Sequence, residues 1–512
     1  MAPFHRITKH FNAVLLRSVL LIFLSTMNYG FDNQGFNTTQ AMIPFKREFG
    51  VLNPKTHKYI LEPYWLSLFN SLNYIGFAAG ILIGSYVSSR WGRRMCMFAM
   101  SCWALCGAAI TITANNRDHI LAGRVLSYIY IGMELSVMPV FMSEIVPAPI
   151  RGFCVGSYQF SLVTGGFIVN IICRGTSTLP TNAAWRIPIG LFFVIPTIVL
   201  SLVWFIPESP RWLLTKGRDH EALVAFTKFR KGCITDDEIT IEFESLQRGL
   251  LTIPEQGKFK ELFQGVNRKR TAIVVGMNFF QQVTGQAFVS TYSAVFVSGL
   301  DTINPFDFTV INLSCNLVVM SIGLYFNDVV GRRPLLLIGG SIQMVAILIV
   351  GCLGTVPNPS YAVRNTIVAF VVLFGLGFIF AWAPLTYVVT TEVPALRLRD
   401  RSQRLAAVVN VVFQFLVNFS IPYLLYAPYA DLGSRVGFIF GSLSFCAVVF
   451  TWFCVPECKG KTLEQVDYMF QTGVPLRKFG SYRFAATEGD ASSSKGVLWD
   501  VCEVRHEEKM KV

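Results

Sequence analysis

Twelve stretches of this chain are each long and apolar enough to cross a bilayer, and that repetition constrains the fold more than any other feature. A spanning helix needs about 20 mostly apolar residues. Windows of that kind fall at roughly 14–36, 64–87, 95–114, 120–142, 152–173 and 187–206. After a polar stretch, six more fall at roughly 272–298, 306–326, 334–354, 365–390, 404–426 and 436–455. In hydrocarbon, backbone N–H and C=O groups must be satisfied within the segment, so the windows read as helices and the chain as an all-α membrane protein. Only 15% of its 512 residues are charged, against about 25% in ordinary soluble domains. Disorder, a collagen-like fibre and a disulfide scaffold are excluded on composition. The first apolar run, Ala13 to Phe31, is too long for the core of a cleavable signal peptide and ends at Asp32.

An even number of spans puts both termini on one side. Of the 44 Lys and Arg residues, 34 fall at or beyond span edges on that side, 9 on the opposite side, and Arg124 inside a span. Basic loops stay cytoplasmic, so both termini are expected in the cytoplasm. The net charge of +13 therefore reads as topology, and no nucleic-acid partner is expected. The expected organisation is a cytoplasmic N-tail (1–13), a first six-helix half (14–206), a cytoplasmic helical linker (207–270), a second half (271–455) and a C-tail (456–512). That tail loses its apolar pattern after Phe470 and is expected to be partly disordered.

The halves repeat. Arg90-Trp91-Gly92-Arg93-Arg94 recurs as Val329-Val330-Gly331-Arg332-Arg333, Glu144 to Arg151 as Glu392 to Arg399, and Pro207-Glu208 as Pro456-Glu457, at offsets of 239, 248 and 249. Three paired motifs in the same order imply two six-helix halves related by an axis along the membrane normal. Each basic pair is matched by two acids, and arginine forks pair bidentately with carboxylates. A cytoplasmic latch that joins the halves in one state and separates in the other is the reading for Arg93, Arg94, Glu144, Arg151, Glu208, Asp328, Arg332, Arg333, Glu392, Arg399 and Glu457; plain positive-inside anchoring is the other.

With Pro207-Glu208-Ser209-Pro210-Arg211, Gln281-Gln282 before Gly285, and Pro456-Glu457 before Lys459-Gly460, these motifs resemble the sugar porters of the major facilitator superfamily from about Ala13 to Phe470. Ala395 to Arg399 and Val436 to Gly441 look like filamentous-fungal members, the hexose, α-glucoside and maltose permease relatives. The resemblance implies the major facilitator fold and a sugar-binding set of Gln159, Gln281, Gln282, Asn316, Tyr387 and Asn410, with Gln286 alongside. The chemistry agrees, since carboxamides both donate to and accept from an uncharged polyol, and an aromatic ring offers the apolar face of a pyranose a stacking surface. Interhelical hydrogen-bonding glue is the alternative. Hexose carriers usually have Asn where this chain has Ala287, and Trp where it has Tyr387, so the substrate is a sugar, a polyol or another polar metabolite.

Asp32 stands where proton-coupled sugar porters carry Asp and facilitators Asn, and Arg124 stands at its partner's position. A lone intramembrane carboxylate must be paired or protonated, so protonation of Asp32 would release Arg124; a structural ion pair is the other reading. Glu134, a second acid in the same span as Arg124, could pair with Arg124 instead. Asn37-Thr38-Thr39 is a glycosylation sequon on the outer side.

No Gly-rich phosphate loop supports ATP-driven transport, no constellation supports an enzyme, and neither a cofactor nor a metal site is expected. The 12 cysteines read as small buried apolar residues. The expectation is a plasma-membrane carrier working as a monomer by proton symport. A proton-independent facilitator and an exporter of a polar secondary metabolite are alternatives. A nutrient sensor is a third class, for which about 40 residues beyond Phe470 make a short signalling tail.

Overall fold

Local chemistry sets the helix ends. Asn12 opens the first helix by accepting from Leu15 N at 2.8 Å, and Ser360 caps the tenth through Val363 N. The computed structural model describes residues 11–52, 57–251, 257–300, 302–461 and 463–482. In its first half the spanning helices are α1 Ala13–Thr39, α2 Pro63–Trp91, α3 Arg93–Ile112, α4 Arg117–Ile145, α5 Ala148–Thr176 and α6 Ala183–Phe205. In its second half α7 comes in three pieces, Gly265–Val283, Gln286–Ser290 and Ser293–Leu300. It is followed by α8 Pro305–Val329, α9 Arg332–Leu353, α10 Tyr361–Glu392, α11 Arg399–Leu425 and α12 Val436–Cys454. The twelve helices are those expected, with edges moved by a few residues. The largest shift is at α7, which starts inside the stretch expected to be linker.

Two spans are interrupted for visible reasons. Gly285 takes φ +101°, a conformation that only glycine adopts cheaply, and it splits α7 beside Gln281 and Gln282. In α10 a π-turn over Phe378–Trp382 precedes Pro384, whose missing N–H cannot close an α-helical bond. A short antiparallel ribbon, β1 Val51–Leu52 with β2 Tyr59–Ile60, sits in the loop between α1 and α2, pairing Val51 with Ile60.

The face where α1 starts and α12 ends is called the termini face below. One apolar cluster runs through the first half and continues into Phe288, Tyr292, Phe296 and Phe308 of the second. A separate cluster holds the termini-face part of the second half. Polar contacts between halves follow the same division. Near the opposite face Arg174 of α5 pairs with Asp307 of α8, Lys46 donates to Ser298 Oγ at 3.2 Å, and Ser67 donates to Phe419 O at 2.7 Å. The halves are thus joined at the opposite face by these polar contacts and by the shared apolar cluster.

The linker folds as helices Pro210–Thr215, Asp219–Arg230 and Asp236–Leu251 around Trp212, Phe226 and Phe243. Asn12 Nδ2 donates to Lys228 O and Lys231 O, and Arg230 Nη1 to Ile145 O, which fastens the linker beneath α1 and α4. Beyond Phe470 the chain is described as far as Tyr482, and Phe479 is fully buried edge-on to Phe470. Residues 483–512 lie outside the described residues.

Candidate functional site

The motif at the start of α3 is built by its glycine. Gly92 takes φ +100°, and a Cβ there would lie 2.4 Å from Glu208 Oε2. Without a side chain, Glu208 reaches in and accepts from the backbone N–H groups of Arg93 (3.0 Å) and Arg94 (3.1 Å). A carboxylate on the unsatisfied N–H groups of a helix start is favoured by hydrogen bonding and by the helix dipole. Burial raises the Glu208 carboxyl above its usual range, opposed by N–H donors from Ser209, Arg94 and Arg93. In the second half Gly331, at φ +108°, admits Glu457 to the N–H groups of Arg332 (3.2 Å) and Arg333 (2.9 Å).

The side chains complete the arrangement within each half. Arg93 grips Glu144 bidentately at 2.9 and 2.8 Å, and Arg332 pairs with Glu392 at 3.0 Å. Arg94 lies over Trp204, and Arg333 over Trp452, each 5.4 Å from the ring centroid. In this state two of the latch acids, Glu208 and Glu457, are taken by backbone N–H groups and two of its arginines, Arg94 and Arg333, by rings, so these contacts pin helices inside one half. Arg399 opens α11. The side chains of Arg151 and Asp328 lie outside the described ones. The tryptophans were missed, although their offset of 248 matches the repeat.

Between the halves lies a cavity of about 230 Å³. Gln159 of α5, Gln281, Gln282 and Gln286 of α7, Asn316 of α8, Tyr387 of α10 and Asn410 of α11 all line it. Tyr387 is 49% exposed, toward this space. Asn410 organises the second-half wall. It donates to Gln281 Oε1 at 2.8 Å and Asn278 Oδ1 at 3.3 Å, and accepts from Gln282 Nε2 at 3.2 Å. Three lining acceptors, Gln282 Oε1, Asn312 Oδ1 and Asn316 Oδ1, have no partner among the described residues, nor does the Tyr158 hydroxyl. Buried acceptors left in this way favour a ligand rich in hydroxyl donors. Ala287 is buried outside the lining, and Gln286, bonded to Ser290 Oγ at 3.0 Å, faces the cavity beside it.

Sequence reasoning missed Asn33, Gln34, Tyr158, Asn312, Gln414 and Asn418, which also line the cavity. Asn410, Gln414 and Asn418 recur every four residues on one face of α11, a pattern that could have revealed them.

Beside the lining residue Asn33, Arg124 Nη1 donates to Asp32 Oδ1, with both side chains buried. Tyr130 donates to Asp32 Oδ2 at 3.1 Å. Arg124 lies between the rings of Phe36 (4.1 Å) and Tyr128 (4.9 Å), whose faces attract the cation where its Nε and Nη2 have no hydrogen-bond partner among the described residues. Tyr128 also donates to Asn33 Oδ1 at 2.9 Å. The residue after Asp32 therefore lines the cavity and is tied to the ring that holds Arg124.

Two expectations fail here. Glu134 does not pair with Arg124: ten residues separate them on α4, about 15 Å along the axis at 1.5 Å per residue. Asn37 is 3% exposed inside α1 and donates to Asn33, so its amide is closed to an oligosaccharide.

Residues 18–470 match the family model described as "Sugar (and other) transporter". Over 468 residues the chain is 26% identical to the MFS transporter fmqE of Aspergillus fumigatus, covering 90% of this chain and 87% of that protein. It is 27% identical over 478 residues to the hexose transporter HXT9 of Saccharomyces cerevisiae, covering 90% and 83%. Among solved structures, a partially occluded inward-open form of the xylose transporter XylE from E. coli superposes with TM-score 0.72 at 19% identity, covering 88% of this chain and 100% of that one. A structure of XylE named as a proton:xylose symporter superposes with TM-score 0.68.

Proposed function

We propose, from the premise that this chain belongs to the sugar (and other) transporter family of the major facilitator superfamily, that it carries a sugar or related polyol by proton symport. That it is a multi-pass sugar transporter and not an enzyme follows from the family. Proton coupling is our reading, and the buried Asp32–Arg124 pair beside the cavity carries it. An ionised Asp32 holds Arg124 and with it the contact between α1 and α4. Protonation neutralises Asp32, and the guanidinium loses its counter-charge in a place where an unpaired charge is costly. The tie from Asn33 through Tyr128 to Arg124 lets a sugar on Asn33 bias the same contact. The seven carboxamide and aromatic residues named from the sequence bind the sugar, the unpartnered acceptors taking its hydroxyls. Closure at the opposite face and the excess of basic residues on the termini face support a plasma-membrane carrier, seen inward-facing, with both termini in the cytoplasm.

Uptake of a labelled saccharide panel into transporter-null cells, with and without a protonophore, tests this reading. Uptake that collapses with the protonophore is expected. Insensitive uptake means a facilitator. A second reading, export of a polar secondary metabolite, is favoured by the aromatic lining of Tyr29, Tyr74, Tyr158 and Tyr387, and absence of all saccharide uptake would select it.

A further inference from the structure

Glu134 takes no part in the pairing just described. It is 1% exposed, and neither carboxyl oxygen has a hydrogen-bond partner among the described residues. It borders a small space of about 10 Å³ with Ser25, Asn28, Ser101 and Tyr130, room for about one water. Asn28 Oδ1, in the same chamber, is also without a partner among the described residues. The ionisable groups facing Glu134 are Tyr29 and Asp32 from α1, Tyr130 from its own helix and Tyr158 from α5. α3 contributes Met100, Ser101 and Ala104 to the chamber, and α6 contributes Ile195, Pro196 and Val199; none of these is charged.

The buried set therefore holds two carboxyls and one guanidinium, and Asp32 has the guanidinium. A second, uncompensated carboxylate would cost several kcal/mol, whereas a protonated Glu134 supplies the hydroxyl donor that the orphaned Asn28 oxygen lacks. The geometry points to Glu134 as a second proton-binding site, coupled to Asp32 through Tyr130. Tyr130 borders the chamber and donates to Asp32 Oδ2. The Glu134 proton reaches the Tyr130 oxygen across the water-sized space that both border, as the Tyr130 proton passes to Asp32. Glu134 ends as carboxylate, Asp32 as neutral acid, Tyr130 unchanged, and the total charge is constant. This deepens the proton-coupled reading and rests on it for its role in transport.

The test is an infrared pH titration of the purified full chain in lipid nanodiscs, which needs no substrate and so stands apart from any uptake assay. At neutral pH the wild type is expected to show a protonated-carboxyl C=O stretch that Glu134→Gln removes, Glu134→Asp shifts and Asp32→Asn retains. Asp32→Asn and Tyr130→Phe should each move the pH at which that band disappears. A wild-type spectrum unchanged by Glu134→Gln would overturn the site. A band whose midpoint ignores both Asp32→Asn and Tyr130→Phe would overturn the coupling. If accumulation survives Asp32→Asn while the band behaves as expected, the transport reading fails and the proton site stands.

Discussion

Arg124 and Asp32 form a buried ion pair between α4 and α1, with the guanidinium held between the rings of Phe36 and Tyr128. Breaking a buried pair by removing one partner leaves an uncompensated charge and costs about 3–5 kcal/mol, while removing both charges is often near neutral. Asp32→Asn and Arg124→Gln should each lower the thermal midpoint of the purified protein, and the double variant should recover most of the loss. A double variant as unstable as the sum of the singles would show that the pair is not coupled.

Glu208 and Glu457 each accept from the first N–H groups of a helix through a space that only glycine leaves. Gly92→Ala and Gly331→Ala force both a positive φ and a clash with the acid. Each should destabilise by about 1–3 kcal/mol, the cost of losing hydrogen bonds to a charged group. Differential scanning fluorimetry reads this directly; wild-type midpoints would contradict the assignment.

Arg174 and Asp307 join α5 to α8 and are 39% and 42% exposed. Such pairs are worth about 0–1 kcal/mol, too little to govern stability but enough to change a two-state ratio by up to about fivefold. Asp307→Asn should leave the thermal midpoint unchanged and raise the labelling rate of a cysteine placed in the cavity when reagent is added from the opposite face. An unchanged rate would exclude this pair from holding that face closed.

Asn410 holds Gln281, Gln282 and Asn278 together. Asn410→Ala releases all three carboxamides and should raise the KM for the transported sugar about tenfold, with expression unchanged, as expected for about 1–2 kcal/mol of hydrogen bonding. Tyr128→Phe, which loses only the bond to Asn33, should leave sugar binding within about threefold and weaken its dependence on pH. Kinetics of labelled uptake across pH separate the two.

The spans were legible because a bilayer demands about 20 apolar residues at a time, and Asp32 and Arg124 because a charge inside such a window stands out. The break in α7 was not, since Gly285 matters through its φ rather than its polarity. The sequence put Glu208 near Arg93 and Arg94, but a motif does not reveal that backbone N–H groups take the carboxylate before the guanidinium can. Asn37 carried a valid sequon, yet only packing could tell that its face of α1 is buried. The cavity wall was half legible: the Gln pair announced itself, while Asn312 and Gln414 needed the four-residue spacing to be read across helices.

Coupling at Asp32 is the central claim, and Asp32→Asn tests it most directly. Wild type and variant are reconstituted in proteoliposomes with an inward proton gradient, using the saccharide that the uptake panel selects. The wild type should accumulate it above the external concentration. The variant should equilibrate without accumulating, yet still exchange labelled for unlabelled sugar in counterflow. Gradient-driven accumulation that persists in Asp32→Asn would contradict the account.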